Sequence, residues 1–450
     1  MKQNKTLKFK LSALVLALSS SLSFNAFAET YDFKKCVASA LNQNPEMDVS
    51  SARIQQAESA LGRAEASRLP QVTLSVTGSN SDNPLNVFGM KLQQRSVVTE
   101  DFDPVSLNNP KAHADFNTRI EMLVPVWNGG RIGSYEDQAA AMIQAARQGD
   151  VAVQQYLTFN VYQAYEAVHA ARSYINVAEQ AKLTADEFVR TTKNLVDQGI
   201  VVRSEFLSAK VNQSSAEVAL LKAQGQEQIA LDTLKMLMNV DANKEVDIAG
   251  RTDLELPADS VEALLTMAMT TNPQLEAKRK EASSTTFAID AAKADYYPSF
   301  NVMLRQDWND EALGLSNSSY TVAGVVSWKI TDFGVTSNSV DMANAAALEK
   351  KSALRSEENK TRLEVLTAWR KMEVANKQVD FNLLAVEQAS EAQNLILKRY
   401  KGGVATMTEV LATQTQLDKA RAELVSAKYD VNVFKAKIRL VTGTMNVNSL

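Results

Sequence analysis

The fold turns on the stretch Phe116-Asn117-Thr118-Arg119-Ile120-Glu121-Met122-Leu123-Val124-Pro125-Val126. Successive side chains of a strand point to opposite faces. As a strand, Phe116, Thr118, Ile120, Met122, Val124 and Val126 share one face, and Asn117, Arg119 and Glu121 the other. A later stretch behaves alike: Tyr320, Val322, Gly324, Val326, Trp328 and Ile330 oppose Ser319, Thr321, Ser327 and Lys329. Two partners, Gln71-Val72-Thr73-Leu74-Ser75-Val76 and Ser299-Phe300-Asn301-Val302-Met303-Leu304, also alternate. Aromatic residues stand near the ends: Trp127, Trp328, Tyr296 and Tyr297. Runs of about 11 residues, apolar outside and polar inside with aromatics at the rims, are the signature of a transmembrane β-barrel with a wet lumen. A soluble sandwich alternates identically, but nothing else in this chain could cover the second face of a sandwich. Four strands cannot close a barrel, and lipid does not tolerate an open edge. The chain must therefore pool strands with copies of itself. Two copies give eight strands and a lumen filled by side chains, three give twelve and room for a channel, and the polar inner faces favour three.

On either side of the strands lie helices of unusual length. Between Ile132 and Asp197 there is no proline, and Ala, Gln, Glu, Lys and Val dominate. The spacing predicts one helix over 132–197, about 100 Å long at about 1.5 Å per residue, and a second over 336–401. Such helices need neighbours along their whole length, as a coiled coil or helical barrel supplies. Phe159, Tyr162, Tyr165, Val168 and Ile175 mark one apolar stripe, and Ala164, Ala167, Ala170, Ala171 and Ala178 a second face of small residues. A glycine turn ends each long helix, and a shorter helix follows, over 204–239 and 406–442. Each half also opens with a short helix, and the two short helices of a half together nearly match the length of the long one, so they could stack beside it.

The mature chain is thus written twice. Asn44-Pro45 and Pro70 return as Asn272-Pro273 and Pro298, 228 residues later, whereas Gly199 and Glu205 return as Gly403 and Glu409, 204 residues later. One copy therefore carries 24 extra residues, within 77–115. The expected organisation is a signal peptide over 1–28, a first repeat over 29–240 and a second over 241–450. The first repeat comprises a helix, a strand pair about 70–127, the long helix 132–197 and the helix 204–239. The second comprises a helix, a strand pair about 298–331, the long helix 336–401 and the helix 406–442.

The first residues read as an export signal. Lys2, Lys5, Lys8 and Lys10 precede the apolar run Leu11–Leu18, and Ala26-Phe27-Ala28 fits a cleavage site before Glu29. The run is too short for a membrane anchor of about 20 residues. Cys36 is the single cysteine, so there is no internal disulfide framework, and it stands too far from Glu29 to be the acylated first residue of a lipoprotein. Basic and acidic residues number 48 and 52, leaving no nucleic-acid footprint. No run of 18 or more apolar residues follows the signal. His113 and His169 are the only histidines and offer neither a metal cluster nor a general base. Fourteen methionines read as core packing rather than soft-metal ligands. Asn128-Gly129-Gly130-Arg131 lacks the Lys-Ser/Thr of a phosphate loop and reads as a strand-to-helix hinge. No catalytic constellation emerges, so the chain is not read as an enzyme.

Several features, in this order and duplicated, make the whole mature chain resemble the TolC-type outer-membrane efflux proteins. They are the paired Asn-Pro openings, the strand exits Val124-Pro-Val-Trp-Asn-Gly-Gly-Arg131 and Trp328-Lys-Ile-Thr-Asp-Phe-Gly334, and the two turns with Gly199/Glu205-Phe-Leu and Tyr400-Lys-Gly-Gly403/Glu409-Val-Leu. The resemblance implies an α+β membrane protein, a homotrimer. Its 12-stranded transmembrane β-barrel would take four strands from each chain and continue into a long periplasmic α-helical barrel. It implies a channel in the cell outer membrane, the exit duct of a tripartite efflux pump or a type I secretion system. Such a duct is docked through a periplasmic adaptor protein to an inner-membrane transporter, and it works without cofactor, metal or nucleic acid. It also assigns 77–115 to an enlarged extracellular loop, against a short one at about 307–318. A periplasmic coiled-coil adaptor or scaffold is the alternative, but that would not explain two pairs of alternating strands.

By the same resemblance, Gly199, Gly402 and Gly403 form the tip turns where an adaptor docks. Glu205 and Glu409 would form rings of carboxylates at a narrow mouth and concentrate cations there. Arg203 and Tyr400 complete the constriction, Tyr400 as a hydrogen-bonding candidate to Glu205. Ala405 and Ala412 stand where relatives carry a basic residue and a second acid. Glu409 also reads as a solvated carboxylate at a helix N-terminus, where the dipole favours it, and for Glu205 the two readings are even.

Overall fold

The computed structural model describes residues 29–446; the expected signal peptide lies outside the described residues. The chain divides into two compact units. One gathers the residues up to Met47, Gln154–Leu265 and those from Glu364 on, and the other holds Asp48–Val153 and Thr266–Leu363.

The second unit contains a four-stranded antiparallel sheet, β2 (Gln71–Ser81), β3 (His113–Trp127), β5 (Ser299–Asp310) and β6 (Ser318–Ser327), in the order β2-β3-β5-β6. The register joins Leu74 to Ile120, Met122 to Leu304 and Leu304 to Val322, so apolar side chains line one face across all four strands. That face is exposed: Val72, Leu74, Val76, Ile120, Leu304, Tyr320, Val322 and Val326 are all open to the surroundings. On the other face Arg119 sits directly across from Asp307 and bonds it at 2.7 Å; Asn117 reaches Asp307 at 3.2 Å and Asn309 at 2.8 Å. Pro125 has no N–H for the ladder, and the β3–β5 register shifts between Pro125 and Trp127. β6 ends at Ser327, so Trp328 and Ile330 lie just beyond the alternating segment rather than in it.

Helices α2 (Pro45–Ala66) and α8 (Pro273–Lys293) begin in the same way. Asn44 accepts from Glu46 N at 2.9 Å and Asn272 from Leu275 N at 3.0 Å, with proline next, where a missing N–H costs nothing. Two helices of 67 residues follow the strand pairs, α5 (Arg131–Asp197) and α9 (Val335–Lys401). The segment between β2 and β3 is not a featureless loop. It folds into α3 (Pro84–Gln93) and α4 (Pro104–Asn108), joined by a single 3-10 turn at Thr99–Phe102.

In the first unit, α1 (Phe33–Gln43) packs against α6 (Arg203–Met238) and the apolar stripe of α5. The Phe33 ring meets Tyr162 edge-on at 5.3 Å and Tyr165 at 5.8 Å. Tyr162 and Tyr165 carry their hydroxyls to the carbonyls of Thr252 and Gly250, at 3.2 and 2.9 Å. Beside them a short parallel pair, β1 (Glu29–Tyr31) with β4 (Val246–Ile248), closes the cluster. α10 (Met407–Val441) completes this unit, and α7 (Val261–Thr271) straddles the division of the chain. Among the described residues no helix is long and apolar enough to cross a membrane.

Candidate functional site

The paired turns Gly199–Val202 and Gly402–Thr406 are built by the same local rule. At the end of α5, Gly199 N bonds Val196 O at 2.9 Å and Ile200 N bonds Leu195 O at 2.9 Å; at the end of α9, Gly403 N bonds Tyr400 O at 2.9 Å and Val404 N bonds Arg399 O at 3.0 Å. This closure gives partners to carbonyls that the helix end would otherwise leave free and places its pivot in the left-handed region. The pivots are Gly199 at φ +72° and Gly403 at φ +74°. Gly402 is not a pivot, and a Cβ there would meet its nearest atom at 3.5 Å. The two turns lie side by side, since a Cβ on Gly403 would touch the Ile200 side chain at 3.7 Å.

The two following helices start differently. Thr406 caps α10 in a reciprocal box: Glu409 N bonds Thr406 Oγ1 at 3.3 Å, while Thr406 N bonds Glu409 Oε2 at 2.8 Å. These bonds to the Thr406 backbone and hydroxyl, with Arg399 near, hold the Glu409 carboxyl below the usual glutamate range. The α6 cap position is Val202, which has no side-chain acceptor. Glu205 does not fold back onto it; its Oε2 accepts from Met407 N at 3.2 Å, the first residue of the neighbouring α10. Glu205 thus ties one tip to the other.

Beneath the turns Phe188, Ala209, Tyr400, Met407 and Val410 form a small buried cluster. Tyr400 is fully buried and donates to Thr192 Oγ1 at 3.2 Å, bracing α9 against α5. Burial, and then the nearby Glu205 carboxylate, push its hydroxyl above the usual tyrosine range. Arg203 and Glu409 are exposed, Glu205 half-buried. Sequence reasoning missed Thr192, Thr406 and the Met407 N–H. The signal for Thr406 was present, a threonine three residues before a glutamate at a helix start. Exposed apolar side chains crowd the same turns: Ile200, Val202, Leu207 and Val404.

Further along the first unit, α5 buries Glu166 completely. Asn432 donates to its Oε2 at 2.9 Å and Arg251 lies at 3.7 Å, while Oε1 has no partner. Burial lifts its carboxyl above the usual range. One turn on, burial, with Arg251 and Arg172 nearby, pushes the His169 imidazole down to about 4. Among the described residues no group of three or more His, Cys, Asp or Glu side chains is arranged to hold a metal ion.

The family profile described as outer membrane efflux protein matches residues 36–240 and 264–444, so the family motif occurs twice. Outer membrane efflux protein BepC of Brucella suis is 21% identical over 300 residues, 66% of this chain and 65% of BepC. Multidrug resistance outer membrane protein MdtP of Shigella flexneri is 24% identical over 225 residues, 48% of this chain and 45% of MdtP. The chain thus spans between about half and two thirds of the length of these curated relatives. A crystal structure of CusC, solved for the changes that accompany folding and transmembrane channel formation, superposes with a TM-score of 0.79 at 18% identity, covering 94% of this chain and 95% of that one.

Proposed function

The chain belongs to the outer membrane efflux protein family, and from that premise we propose that it is a passive exit duct, a homotrimer whose copies pool their sheets into one outer-membrane barrel. The observation that carries this reading is the two-faced sheet. Its apolar face is exposed on all four strands, its other face holds the Arg119–Asp307 pair, and its outer strands, β2 and β6, each have one unpaired edge. Lipid forbids such edges, and joining β6 of one copy to β2 of the next satisfies both at once. Twelve strands then enclose the polar face as a wet lumen. Neither a catalytic step nor a cofactor is needed. The driving energy comes from an inner-membrane transporter, reached through a periplasmic adaptor protein that docks on the exposed apolar residues of the tip turns. The substrate is a small molecule or metal ion for efflux, or a protein for type I secretion. With the family assigned, a coiled-coil adaptor reading has no observation left to favour it.

At the periplasmic end we assign the closing elements to Glu205, Glu409, Arg203 and Tyr400, with Gly199, Gly402 and Gly403 in the turns. Three Glu409 carboxylates at one narrow mouth repel one another, which raises their titration, and the bonds from each helix cap oppose that rise. Reconstituted in planar bilayers, the trimer should select cations. That selectivity should hold at neutral pH and fade as pH falls into the carboxylate range and the ring is protonated. Unchanged selectivity and divalent-ion block in Glu409→Gln would remove Glu409 from the gate. A heat-modifiable trimer in the outer-membrane fraction tests the duct itself, and a soluble monomer would overturn it.

A further inference from the structure

The helical insertion between β2 and β3 does not extend away from the sheet. Gln94, at the end of α3, is buried and donates to Ala114 O at 2.8 Å and to the Asp115 carboxylate at 3.0 Å, while its Oε1 lies 2.7 Å from His113 Nε2. Asp115 alternates with Phe116 and therefore stands on the polar face with Asn117 and Arg119. The next residue, Arg95, adopts φ +55°, a left-handed conformation that a residue with a side chain enters at a cost. From there its Nη2 reaches Ser318 O at 2.8 Å, on the first residue of β6. The segment thus starts at β2 and is tied to β3 and to β6, the opposite edge strand. Burial follows the same path: Asp115, Asp307 and Asn309 on β3 and β5 are buried, whereas Thr73, Ser75, Thr77 and Ser79 on β2 are exposed. The insertion is also internally braced. Lys91 pairs with Asp101 at 2.5 Å, the Phe88 and Phe102 rings meet edge-on at 5.7 Å, and Asp103 caps α4 through Ser106 N at 3.0 Å.

We infer that this insertion is a constriction at the outer mouth of the duct, a built flap that limits the size of what passes. The inference rests on the trimeric duct reading. Twelve strands about 4.8 Å apart and tilted about 40° enclose a ring roughly 24 Å across. A helix with its side chains is about 10 Å thick. Three copies, each carrying a helical flap over its polar face, therefore fill most of that opening. Arg95 is the strap: its carbonyl partner lies on the far strand of its own sheet, so the flap stays folded inward without help from a neighbouring copy.

The test uses thiol labelling of the full-length protein on intact cells. Cys36, the one native cysteine, is fully buried and offers no competing site. Thr73→Cys places a thiol on the polar face of β2, and N-ethylmaleimide, small enough to reach it in every variant, controls for reactivity. With the insertion intact, rhodamine maleimide should label Thr73→Cys slowly. Replacing 84–108 by a short Gly-Ser turn should raise the initial rate about tenfold, as removal of a barrier of about 1.4 kcal/mol would. Arg95→Ala, which leaves the insertion in place, should give an increase of the same sign and serves if the deletion does not assemble. Equal rhodamine rates in all three proteins, each a heat-modifiable trimer in the outer membrane, would overturn the constriction and leave the duct standing. A parent protein that forms no such trimer would overturn the duct reading and this inference with it.

Discussion

Phe333 adopts φ +53° with its ring almost wholly exposed, at the position where the first repeat has Gly129 at φ +67°. The hinge needs a left-handed residue in both halves, but the two sites differ in room. A Cβ on Gly129 would lie 2.5 Å from Ala294 O, so only glycine fits there, whereas the second hinge is open and is held instead by Asp332, which accepts from Gly334 N at 3.1 Å and Thr336 N at 2.9 Å. Asparagine tolerates the left-handed region better than phenylalanine. Phe333→Asn should therefore stabilise the solubilised protein by up to about 1 kcal/mol, and Gly129→Ala should prevent native assembly; thermal midpoints in detergent check both. At the tips, Glu205→Ala strands the Met407 N–H and should cost about 1 kcal/mol. Glu205→Gln keeps an acceptor and should cost much less, so the pair separates the tie between turns from the charge.

Among elements, the tip turns give a direct comparison. Gly199→Ala and Gly403→Ala each force a Cβ into the left-handed region and should each lower stability by about 1 kcal/mol, whereas Gly402→Ala should be neutral; denaturant midpoints at fixed slope decide. In α5, His169 and Glu166 pull stability in opposite directions with pH. Burial pushes the folded imidazole down to about 4, below its unfolded value of about 6.5, so the native state loses stability as pH falls through that window. Glu166 is raised in the fold, so its protonation recovers stability in the acid range. His169→Gln should flatten the fall of the thermal midpoint between pH 6.5 and 4. The long helices and four strands were legible because each repeats a simple period over many residues: Phe159, Tyr162 and Tyr165 by threes, Ile120, Met122 and Val124 by twos. The β1–β4 pair was not, because three residues carry no period. α3 was overlooked although Asn83-Pro84 bears the same start signal as Asn44-Pro45, with Asn83 accepting from Leu85 N at 3.1 Å. The tie from Glu205 to Met407 was out of reach, since it joins residues 202 positions apart through a backbone N–H.

For the molecule as a whole, the two faces of the sheet make opposite demands. In the proposed barrel Leu74 faces lipid and Thr73 faces water, although they are adjacent in sequence. Leu74→Arg should cost about 2–4 kcal/mol in the bilayer and deplete the outer-membrane trimer, while Thr73→Arg should leave it intact; both are read by fractionation and unboiled gels. The helical first unit should keep its circular-dichroism signal in both, since neither residue belongs to it. That unit also holds Cys36, fully buried beneath the Phe33 and Tyr165 cluster, where burial and then Asp32 push its thiol up to about 12. Once folded, the sulfur therefore carries almost no thiolate at neutral pH and is shielded from oxidants and disulfide-exchange catalysts. Before folding, the same thiol is an ordinary reactive one. Brief pulses of alkylating reagent during biogenesis would thus record when this core closes, with the protein's single sulfhydryl as its own clock.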